Sequence, residues 1–392
     1  MTAPKTLTQN KKLYHDLNLQ IIFCVTLIAI MGVASLTPVF PKVIEVFHIS
    51  SQAVGFLITV FTLPGVILTP IFGVLADRWG RKKILVPSLF LFALAGSACA
   101  LVRDFQVLLI LRFFQGVGAA SLGSLNVTII GDLYSGKARG SAMGYNASVL
   151  SLGTGSYPAI GGALAMFSWH FPFLLPLLAI PVGLLVLLRL KNPEPKSRQL
   201  LSEYLRQVWR SISLQVICLL AASTITFIIL YGSYLTYYPL LINQSFGGSS
   251  LIIGLIMSIM SITTAIASAQ LTRLIQMLSE RSLIKISFLL YGLALLIIPF
   301  VPNIWLLLIP SVIFGIAHGI NLPSIQTLLA GLATVEHRAA FMSVNGMVLR
   351  LGQTLGPILI GLFYTFGGLH CAFYGGAMIA VGMFVATTII MK

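Results

Sequence analysis

The stretch GVLADRWGRKK, Gly73 to Lys83, places five charged side chains between two long apolar runs. This clustering is unusual because only 8% of the 392 residues are charged, whereas 57% are hydrophobic. Soluble domains carry roughly 25% charged residues. The composition, with a mean hydropathy of +0.98, therefore predicts an integral membrane protein in which this stretch is a loop between two spanning helices.

Apolar runs recur along the whole chain, and each is long enough to cross a hydrocarbon core of about 30 Å as an α-helix. The four cysteines all fall inside these runs, so neither disulfide bonds nor a metal site is expected. We predict twelve membrane-spanning helices, at 19–41, 53–76, 84–102, 106–130, 141–165, 171–190, 214–240, 250–272, 283–301, 304–330, 339–366 and 369–391.

The net charge of +15 could indicate nucleic-acid binding, so the positions of the basic residues decide its meaning. If the N-terminus is cytoplasmic and the helices alternate, twenty of the 24 lysines and arginines lie in cytoplasmic segments. Lys42 and Arg103 lie in outside loops, and Arg112 and Arg350 lie within helices. This asymmetry follows the positive-inside rule. It predicts a multi-pass protein of the cell membrane with both termini in the cytoplasm, and it argues against nucleic acid as a partner.

A repeat relates the two halves of the chain. Shifting the sequence by 199 residues aligns the second half with the first, which predicts two six-helix halves, 1–190 and 214–392, that repeat one another in parallel. The polar segment 191–213 joins them, either as an amphipathic helix on the cytoplasmic membrane surface or as a solvated linker. A shift of 199 residues superimposes Arg139 on Arg338, Met143 on Met342, Asn146 on Asn345, Gly153 on Gly352, Pro158 on Pro357, Gly116 on Gly315 and Gly55 on Gly254.

Three motifs resemble those of one transporter family. The stretch from Gly73 to Lys83 is similar, at every defining position, to the signature loop between helices 2 and 3 of the major facilitator superfamily. LRFFQGVGAA, 111–120, resembles its helix 4 motif; GTGSYPAIGG, 153–162, resembles the exporter motif GxxxGPxxGG of helix 5, with Tyr157 in place of a glycine. The chain thus resembles this superfamily along its whole length, and within it the twelve-helix drug:proton antiporters. The resemblance implies an all-α integral membrane fold of twelve helices in two pseudo-symmetric six-helix bundles.

The signature loop is expected to act as a gate. Glycine permits close approach of a neighbouring helix at Gly73 and a tight turn at Gly80. The resemblance implies that Asp77 faces the start of helix 11 and that Arg78 pairs with Asp132 at the cytoplasmic end of helix 4. Such contacts would hold the cytoplasmic side closed; the alternative is a loop that only sets the topology. The expected gating residues are Gly73, Asp77, Arg78, Gly80, Arg81 and Asp132.

An arginine inside a membrane-spanning helix needs polar partners, because its insertion costs at least ~2.5 kcal/mol. Arg112 lies in helix 4, and Gln115, one turn further on, can share its face. The resemblance implies that Arg112 takes part in proton coupling. The alternative is a structural arginine bonded to backbone carbonyl groups of helix 1.

Helix 11 carries the sequence GQTLGPILIG, 352–361, which is complementary to the helix 5 motif. Small residues and proline form a close-packed, bendable seam, which suits helices at a moving interface between the halves. General helix packing is the alternative. The expected seam residues are Gly153, Pro158, Gly161, Gly162, Gly352, Gly356 and Pro357.

The acidic residues limit the mechanism. All nine lie in loops or near the predicted helix ends, and none lies at mid-membrane. Many proton antiporters that expel cations use a buried carboxylate, so its absence puts cation-for-proton exchange in doubt. The embedded ionisable groups are Arg112, Arg350 and His318. Buried cations need a negative partner or abundant carbonyl groups, so we hypothesise an anionic or zwitterionic amphipathic substrate. His318 would then bind the proton or, alternatively, only hydrogen-bond a neighbouring helix.

The resemblance places helices 1, 4, 7 and 10 around a central cavity. Two tyrosines of helix 7, spaced three apart, offer an aromatic surface there. Asn146 and Asn345, paired by the repeat, either line the cavity or join helices. The expected substrate-binding residues are Tyr231, Tyr234, Asn321, Asn146, Asn345 and Arg350.

Together these features predict a proton-coupled exporter of amphipathic small molecules that works by alternating access, as a monomer and without a cofactor. A dedicated exporter or flippase of one lipid-like or siderophore-like metabolite would share every feature. A non-transporting receptor or an enzyme is the remaining alternative. Nothing in the sequence supports catalysis, since it has no mid-membrane carboxylate pair, no clustered histidines and cysteines and no Walker-type phosphate loop.

Overall fold

The computed structural model describes residues 13–191, 213–332 and 338–391, and the regular secondary structure of these residues is helical. The predicted linker 191–213 lies outside the described residues except for its first and last residue. The membrane-spanning helices are α1 Leu17–Phe47, α2 Ala53–Trp79, α3 Arg81–Leu101, α4 Phe105–Leu133, α5 Gly136–Phe167, α6 Phe171–Arg189, α7 Leu214–Phe246, α8 Ser250–Ala269, α9 Glu280–Phe300, α10 Ile304–Leu332, α11 338–366 and α12 369–390.

Composition alone marks ten apolar spans in the described residues, and one of these contains both α11 and α12. That helical run, Arg338–Ile390, is broken at Gly367 and Gly368, and Gly368 has a φ of +67°, which favours glycine. Helix α5 accounts for the other difference, because its glycines and serines lower its hydropathy although it is helical over 32 residues. Dividing the run and adding α5 gives the predicted twelve helices.

Capping side chains and one glycine turn fix several helix ends. Asp104 Oδ1 accepts hydrogen bonds from the backbone N–H groups of Gln106 and Val107, both at 2.9 Å, and so caps α4. Between α2 and α3 the chain reverses at Gly80, whose φ of +104° requires glycine. The tight turn expected at this position is present.

The repeat in the sequence reappears as a repeat of contacts within each half. Gly116 of α4 packs against the carbonyl group of Phe61 in α2, and Gly315 of α10 packs against that of Met260 in α8. Both residues of the second pair lie 199 positions after their counterparts in the first. The chain therefore forms two six-helix bundles that share this internal contact.

The bundles pack together at one end of the molecule. We call it the opposite end, because it lies away from the loop Gly73–Lys83; the end that carries this loop is the basic end. Gly55 of α2 contacts Pro357 of α11, and Gly254 of α8 contacts Pro158 of α5. Gly254 is the repeat equivalent of Gly55, and Pro158 is that of Pro357, so the second contact repeats the first with the two halves of the chain exchanged.

At the basic end the bundles are apart. An added Cβ atom at Gly73 of α2, or at Gly140 or Gly144 of α5, would meet no described atom within 4 Å. The same addition at Gly162, near the opposite end of α5, would overlap the backbone of Ser250 in α8. Among the described residues, the space between the bundles is therefore open at the basic end and closed at the opposite end.

Candidate functional site

The charged loop is organised by Arg81, which is 5% exposed. Its Nη1 atom lies 2.8 Å from Asp77 Oδ1, and its Nε atom lies 2.5 Å from Oδ2 of Asp132 at the basic end of α4. Arg78 is exposed at the end of α2. The expectation that Arg78 pairs with Asp132 is therefore wrong. The turn at Gly80 starts α3 with Arg81 directed towards α4, so this arginine holds both carboxylates.

Among the described residues, the loop forms no contact that holds the two bundles together. Asp77 is paired with Arg81 of its own bundle, and the described residues leave open space beside Gly73. Among the described residues, no neighbouring helix contacts Gly73, contrary to expectation. Asp77 is also not placed against α11, because the described parts of the two bundles are separated at this end. The contacts that are formed join α2, α3 and α4.

Arg112 is sealed inside the N-terminal bundle, with 1% of its surface exposed. Its Nη1 atom donates to the carbonyl oxygen of Gly32 at 3.0 Å and to Gln115 Oε1 at 2.7 Å. Its Nε atom donates to the carbonyl oxygen of Leu57 at 3.1 Å, and the Phe61 ring centre lies 4.3 Å from the guanidinium carbon. Carbonyl dipoles of α1 and α2 and an aromatic face thus surround the charge. This is the structural arrangement named above as the alternative, and Arg112 does not line an open pocket.

Arg350 lies instead between the bundles and is half-buried. A Cβ atom added at Gly65 of α2 would lie 3.3 Å from Arg350 Cδ, and one added at Gly123 of α4 would lie 3.7 Å from its Nη2. Among the described residues its one hydrogen-bond acceptor is Gln353 Oε1, 3.2 Å from Nη1. A guanidinium has five N–H donors, so most of them are left for water or a ligand. The two arginines therefore do not share a pocket.

Aromatic side chains of the C-terminal bundle lie near Arg350. Tyr231 interacts electrostatically with Arg350. The Tyr231 ring stacks on Phe227 with centroids 5.8 Å apart. The His318 ring meets Phe227 edge-on at 6.1 Å, and its Nδ1 atom lies 2.8 Å from the hydroxyl oxygen of Tyr291 in α9. Tyr231 and His318 are each half-buried. We call Arg350, Tyr231, Phe227 and His318 the central site.

Tyr234 is turned away from the central site. The segment Ile229–Tyr237 of α7 is a π-helix, in which hydrogen bonds join residues five apart. Each residue therefore advances less around the axis than in an α-helix, so a spacing of three no longer places Tyr234 on the face of Tyr231. Tyr234 is 1% exposed and its hydroxyl donates to Ser311 Oγ at 3.2 Å. The expectation that Tyr234 lines the cavity is wrong.

The repeat-related asparagines join helices. Asn146 Oδ1 accepts a hydrogen bond from Thr26 Oγ1 at 2.6 Å, which ties α5 to α1. Asn345 Oδ1 accepts one from Ser223 Oγ at 2.7 Å, which ties α11 to α7. Both asparagines are buried. Of the two alternatives for this pair, helix joining is the one that the structure shows.

Asn321 is also used inside its bundle. Its Oδ1 accepts a hydrogen bond from Thr226 Oγ1 at 2.7 Å, and its Nδ2 donates to Ser287 Oγ at 2.6 Å. The residue is 0% exposed, so the expectation that it lines the cavity is wrong. Within the N-terminal bundle, Asn126 of α4, which sequence reasoning missed, donates from Nδ2 to Thr26 Oγ1 of α1 at 2.7 Å. A lone amide in an apolar helix was the available signal, but it does not distinguish a binding residue from a joining one.

The seam residues divide into two groups. The moving-interface interpretation fits those between the bundles, and the general-packing alternative fits the rest. Pro158, Gly162 and Pro357 lie where the bundles meet, whereas Gly153 and Gly161 pack α5 against α1, and Gly352 and Gly356 pack α11 against α7.

Three threonines that sequence reasoning did not single out bridge the bundles beside the central site. Thr59 Oγ1 donates to the carbonyl oxygen of Thr354 at 3.1 Å, and the Thr62 and Thr354 hydroxyl oxygens are 2.9 Å apart. We call Thr59, Thr62 and Thr354 the threonine clasp. Thr354 Oγ1 also lies 2.9 Å from the carbonyl oxygen of Arg350, one turn earlier in α11. Helical threonines commonly bond their own backbone, so the sequence does not reveal which ones reach across an interface.

Comparison with known proteins places these features in one family. The family model described as Major Facilitator Superfamily matches residues 22–249 and 220–392. Multidrug resistance protein 1 of Bacillus subtilis is 24% identical over 383 residues, which cover 96% of this chain and 97% of that protein. The bacillibactin exporter of the same organism is 31% identical over 163 residues, 40% of each chain. A crystal structure of the nucleoside transporter NupG has the same fold, with a TM-score of 0.81 at 15% identity, and covers 96% of this chain and 100% of its own.

Proposed function

The chain belongs to the Major Facilitator Superfamily, and we propose that it is a proton-coupled exporter of amphipathic small molecules that are anionic or zwitterionic. It is a multi-pass membrane transporter of the drug-exporter type rather than an enzyme. We propose three properties beyond this class: a negative or zwitterionic charge on the substrate, coupling to protons, and export as the direction of transport.

The position of Arg350 is the observation that carries the proposal. Its guanidinium is half-buried between the bundles, and among the described residues it forms no ion pair. A partly desolvated cation without a counter-ion is unfavourable, and a carboxylate, sulfonate or phosphate would form short, often bidentate hydrogen bonds with it. The stacked rings of Phe227 and Tyr231 offer an apolar face for the rest of an amphipathic molecule.

The proposed transport cycle is alternating access around the central site. The positive-inside rule supports a cytoplasmic location for the basic end and both termini, in a bacterial inner membrane. The open basic end would then load substrate from the cytoplasm. Rocking of bundle 1–190 against bundle 214–392, connected through 191–213, would close this end, open the opposite end and release the substrate outside.

His318 is the proposed proton-binding group. Imidazole exchanges protons at physiological pH, and this ring is half-buried at the central site with its Nδ1 atom held by Tyr291. The part proposed for Arg112 and Gln115 in coupling is indirect, since their contacts with α1 and α2 would keep the N-terminal bundle rigid while it moves.

The other predicted binding residues are proposed to support the central site from behind. Tyr234 and Asn321 fix α10 against α7 and α9, whereas Asn146 and Asn345 fix α5 and α11 against the first helix of each bundle. Of the expected substrate-binding set, Tyr231 and Arg350 are therefore proposed to touch the substrate directly.

A dedicated exporter of one metabolite is the second candidate function. The similarity to a protein named for the export of a single compound, bacillibactin, favours it. Competition between chemically unrelated dyes for uptake separates the two functions: mutual inhibition supports a multidrug exporter, and its absence supports a dedicated one.

Uptake into inverted membrane vesicles tests the proposal. An anionic and a cationic dye are compared with and without an imposed proton gradient, in the wild type, Arg350→Gln and Arg350→Lys. We expect gradient-stimulated uptake of the anionic dye that Arg350→Gln abolishes and Arg350→Lys partly retains. Equal losses for both dyes in Arg350→Gln would contradict the proposed substrate charge.

A further inference from the structure

The ionisable groups of the membrane-spanning helices are unbalanced in charge. Arg112 and Arg350 lie inside the helices, and the nine acidic residues of the chain include none at mid-membrane. Three of the nine, Glu194, Glu203 and Glu336, lie outside the described residues, in the segments after α6 and α10. The described six lie at helix ends: Asp16, Asp77, Asp132 and Glu280 at the basic end, and Glu45 and Asp104 at the opposite end.

The two embedded arginines differ in how their charge is met. Arg112 donates to two backbone carbonyl groups and to Gln115 within one bundle, so its environment need not change when the bundles move. Arg350 belongs to α11 but lies against Gly65 and Gly123 of the other bundle. Its surroundings must therefore change in every transport cycle, and no carboxylate of the described residues pairs with its charge.

We infer that export by this protein is electrogenic: Arg350 pairs with the anionic group of the substrate, the loaded carrier reorients as a neutral pair, and the empty carrier returns with one uncompensated positive charge. The inference rests on the proposed function, because it requires an anionic substrate and movement of the bundles. It goes beyond that function by assigning the electrical work to one step and one residue.

The membrane potential then favours export. The cell interior is negative, so the field draws the empty, positively charged carrier back to the conformation that is open at the basic end. One anion leaves in each cycle, which equals one positive charge moved inwards, and no carboxylate is needed to carry it. A potential of 100 mV supports a concentration ratio of about 50-fold for a monovalent anion. A proton carried inwards on His318 would add a second charge rather than cancel the first.

Purified, full-length protein in liposomes tests the inference. The probe is a monovalent carboxylated fluorescent dye, and its neutral methyl ester is the matched control. Potassium outside the vesicles and valinomycin set a lumen-positive potential of about 100 mV, with the same strong buffer on both sides so that no pH gradient is present.

We expect uphill accumulation of the acid of about 50-fold if one charge moves in each cycle, and more if a proton is exchanged as well, but none of the ester. Reversal of the potential should abolish accumulation. If a pH gradient alone drives uptake of the acid and the potential does not, the inference is overturned while the proposed function stands. If neither gradient drives uptake by protein that remains folded, both are overturned.

Two variants test the assignment to Arg350. Arg350→Lys keeps the positive charge and should retain potential-driven uptake of the acid at a reduced rate, whereas Arg350→Gln should lose it. Thermal unfolding of both variants in detergent shows whether the loss comes from misfolding. Accumulation by a folded Arg350→Gln variant equal to that of Arg350→Lys would overturn the assignment.

Discussion

Substitution of Gly162 by alanine should shift the protein away from the conformation described here. A Cβ atom at this position would overlap the carbonyl group of Ser250 in α8, where the two bundles meet. Alanine is a better helix former than glycine by about 1 kcal/mol, but that gain is the same in every conformation of the bundles. Only the conformation that is closed at the opposite end meets the overlap.

The size of the shift follows from the packing. Adding a methyl group to a close backbone contact costs about 1–3 kcal/mol. This corresponds to a fall of about 5–150-fold in the ratio of closed to open conformers at the opposite end. Gly155→Ala is the matched control on the same helix, because its Cβ atom would lie 3.7 Å from Ile262, an ordinary van der Waals distance.

Cross-linking across the opposite end measures this ratio. Ser51 Oγ and Gln244 Nε2 lie 3.5 Å apart on different bundles, so Ser51→Cys with Gln244→Cys should cross-link readily after the four native cysteines are replaced. Gly155→Ala should cross-link as fast as the parent, and Gly162→Ala more slowly. Equal rates for the two alanine variants would refute the reasoning, because they would mean that the bundles do not meet at Gly162.

Three further variants test separate parts of the structure. Arg81→Gln should lower the free energy of unfolding in detergent by about 1.5–3 kcal/mol, because it removes two charged contacts. Arg78→Gln should change it by less than about 0.5 kcal/mol. Equal effects of the two variants would contradict the pairing of Arg81 with Asp77 and Asp132. Arg112→Met should cost at least about 2 kcal/mol of stability, yet leave the affinity for an anionic dye unchanged, since this arginine is sealed from the central site. Tyr231→Leu should weaken binding of an aromatic anion by about 2–12-fold, whereas Tyr234→Phe should leave it unaltered. If Tyr234→Phe weakens binding more than Tyr231→Leu does, Tyr234 rather than Tyr231 faces the central site.

The membrane fold was largely predictable because its signals are local and strong. Long apolar runs, the loop Gly73–Lys83 and the 199-residue repeat together predicted the helices and the two bundles. The repeat also reappears in the contacts, since Gly55 against Pro357 and Gly254 against Pro158 are one contact seen twice. Composition alone was less informative than the repeat, because it does not mark the glycine-rich helix α5 as a span.

The orientation of individual side chains was not predictable to the same degree. Membrane helices are apolar on all faces, so their sequence periodicity does not reveal which face borders a cavity. Arg112 and Arg350 look alike in the sequence, but one is enclosed by carbonyl groups and the other lies between the bundles. The π-helical segment of α7 changed the face of Tyr234, and the turn at Gly80 determined that Arg81 reaches α4.

The most direct test of the central claim, that Arg350 binds an anionic group between the bundles, is equilibrium binding of a matched pair of ligands. Fluorescence polarisation compares a carboxylated aromatic dye with its methyl ester on purified wild-type protein and on Arg350→Gln. Charged hydrogen bonds contribute about 1.5–3 kcal/mol, so the wild type should bind the acid at least about 10-fold more tightly than the ester, and Arg350→Gln should show no preference. Equal affinities of the wild type for the two ligands, or a preference that survives in Arg350→Gln, would contradict the account.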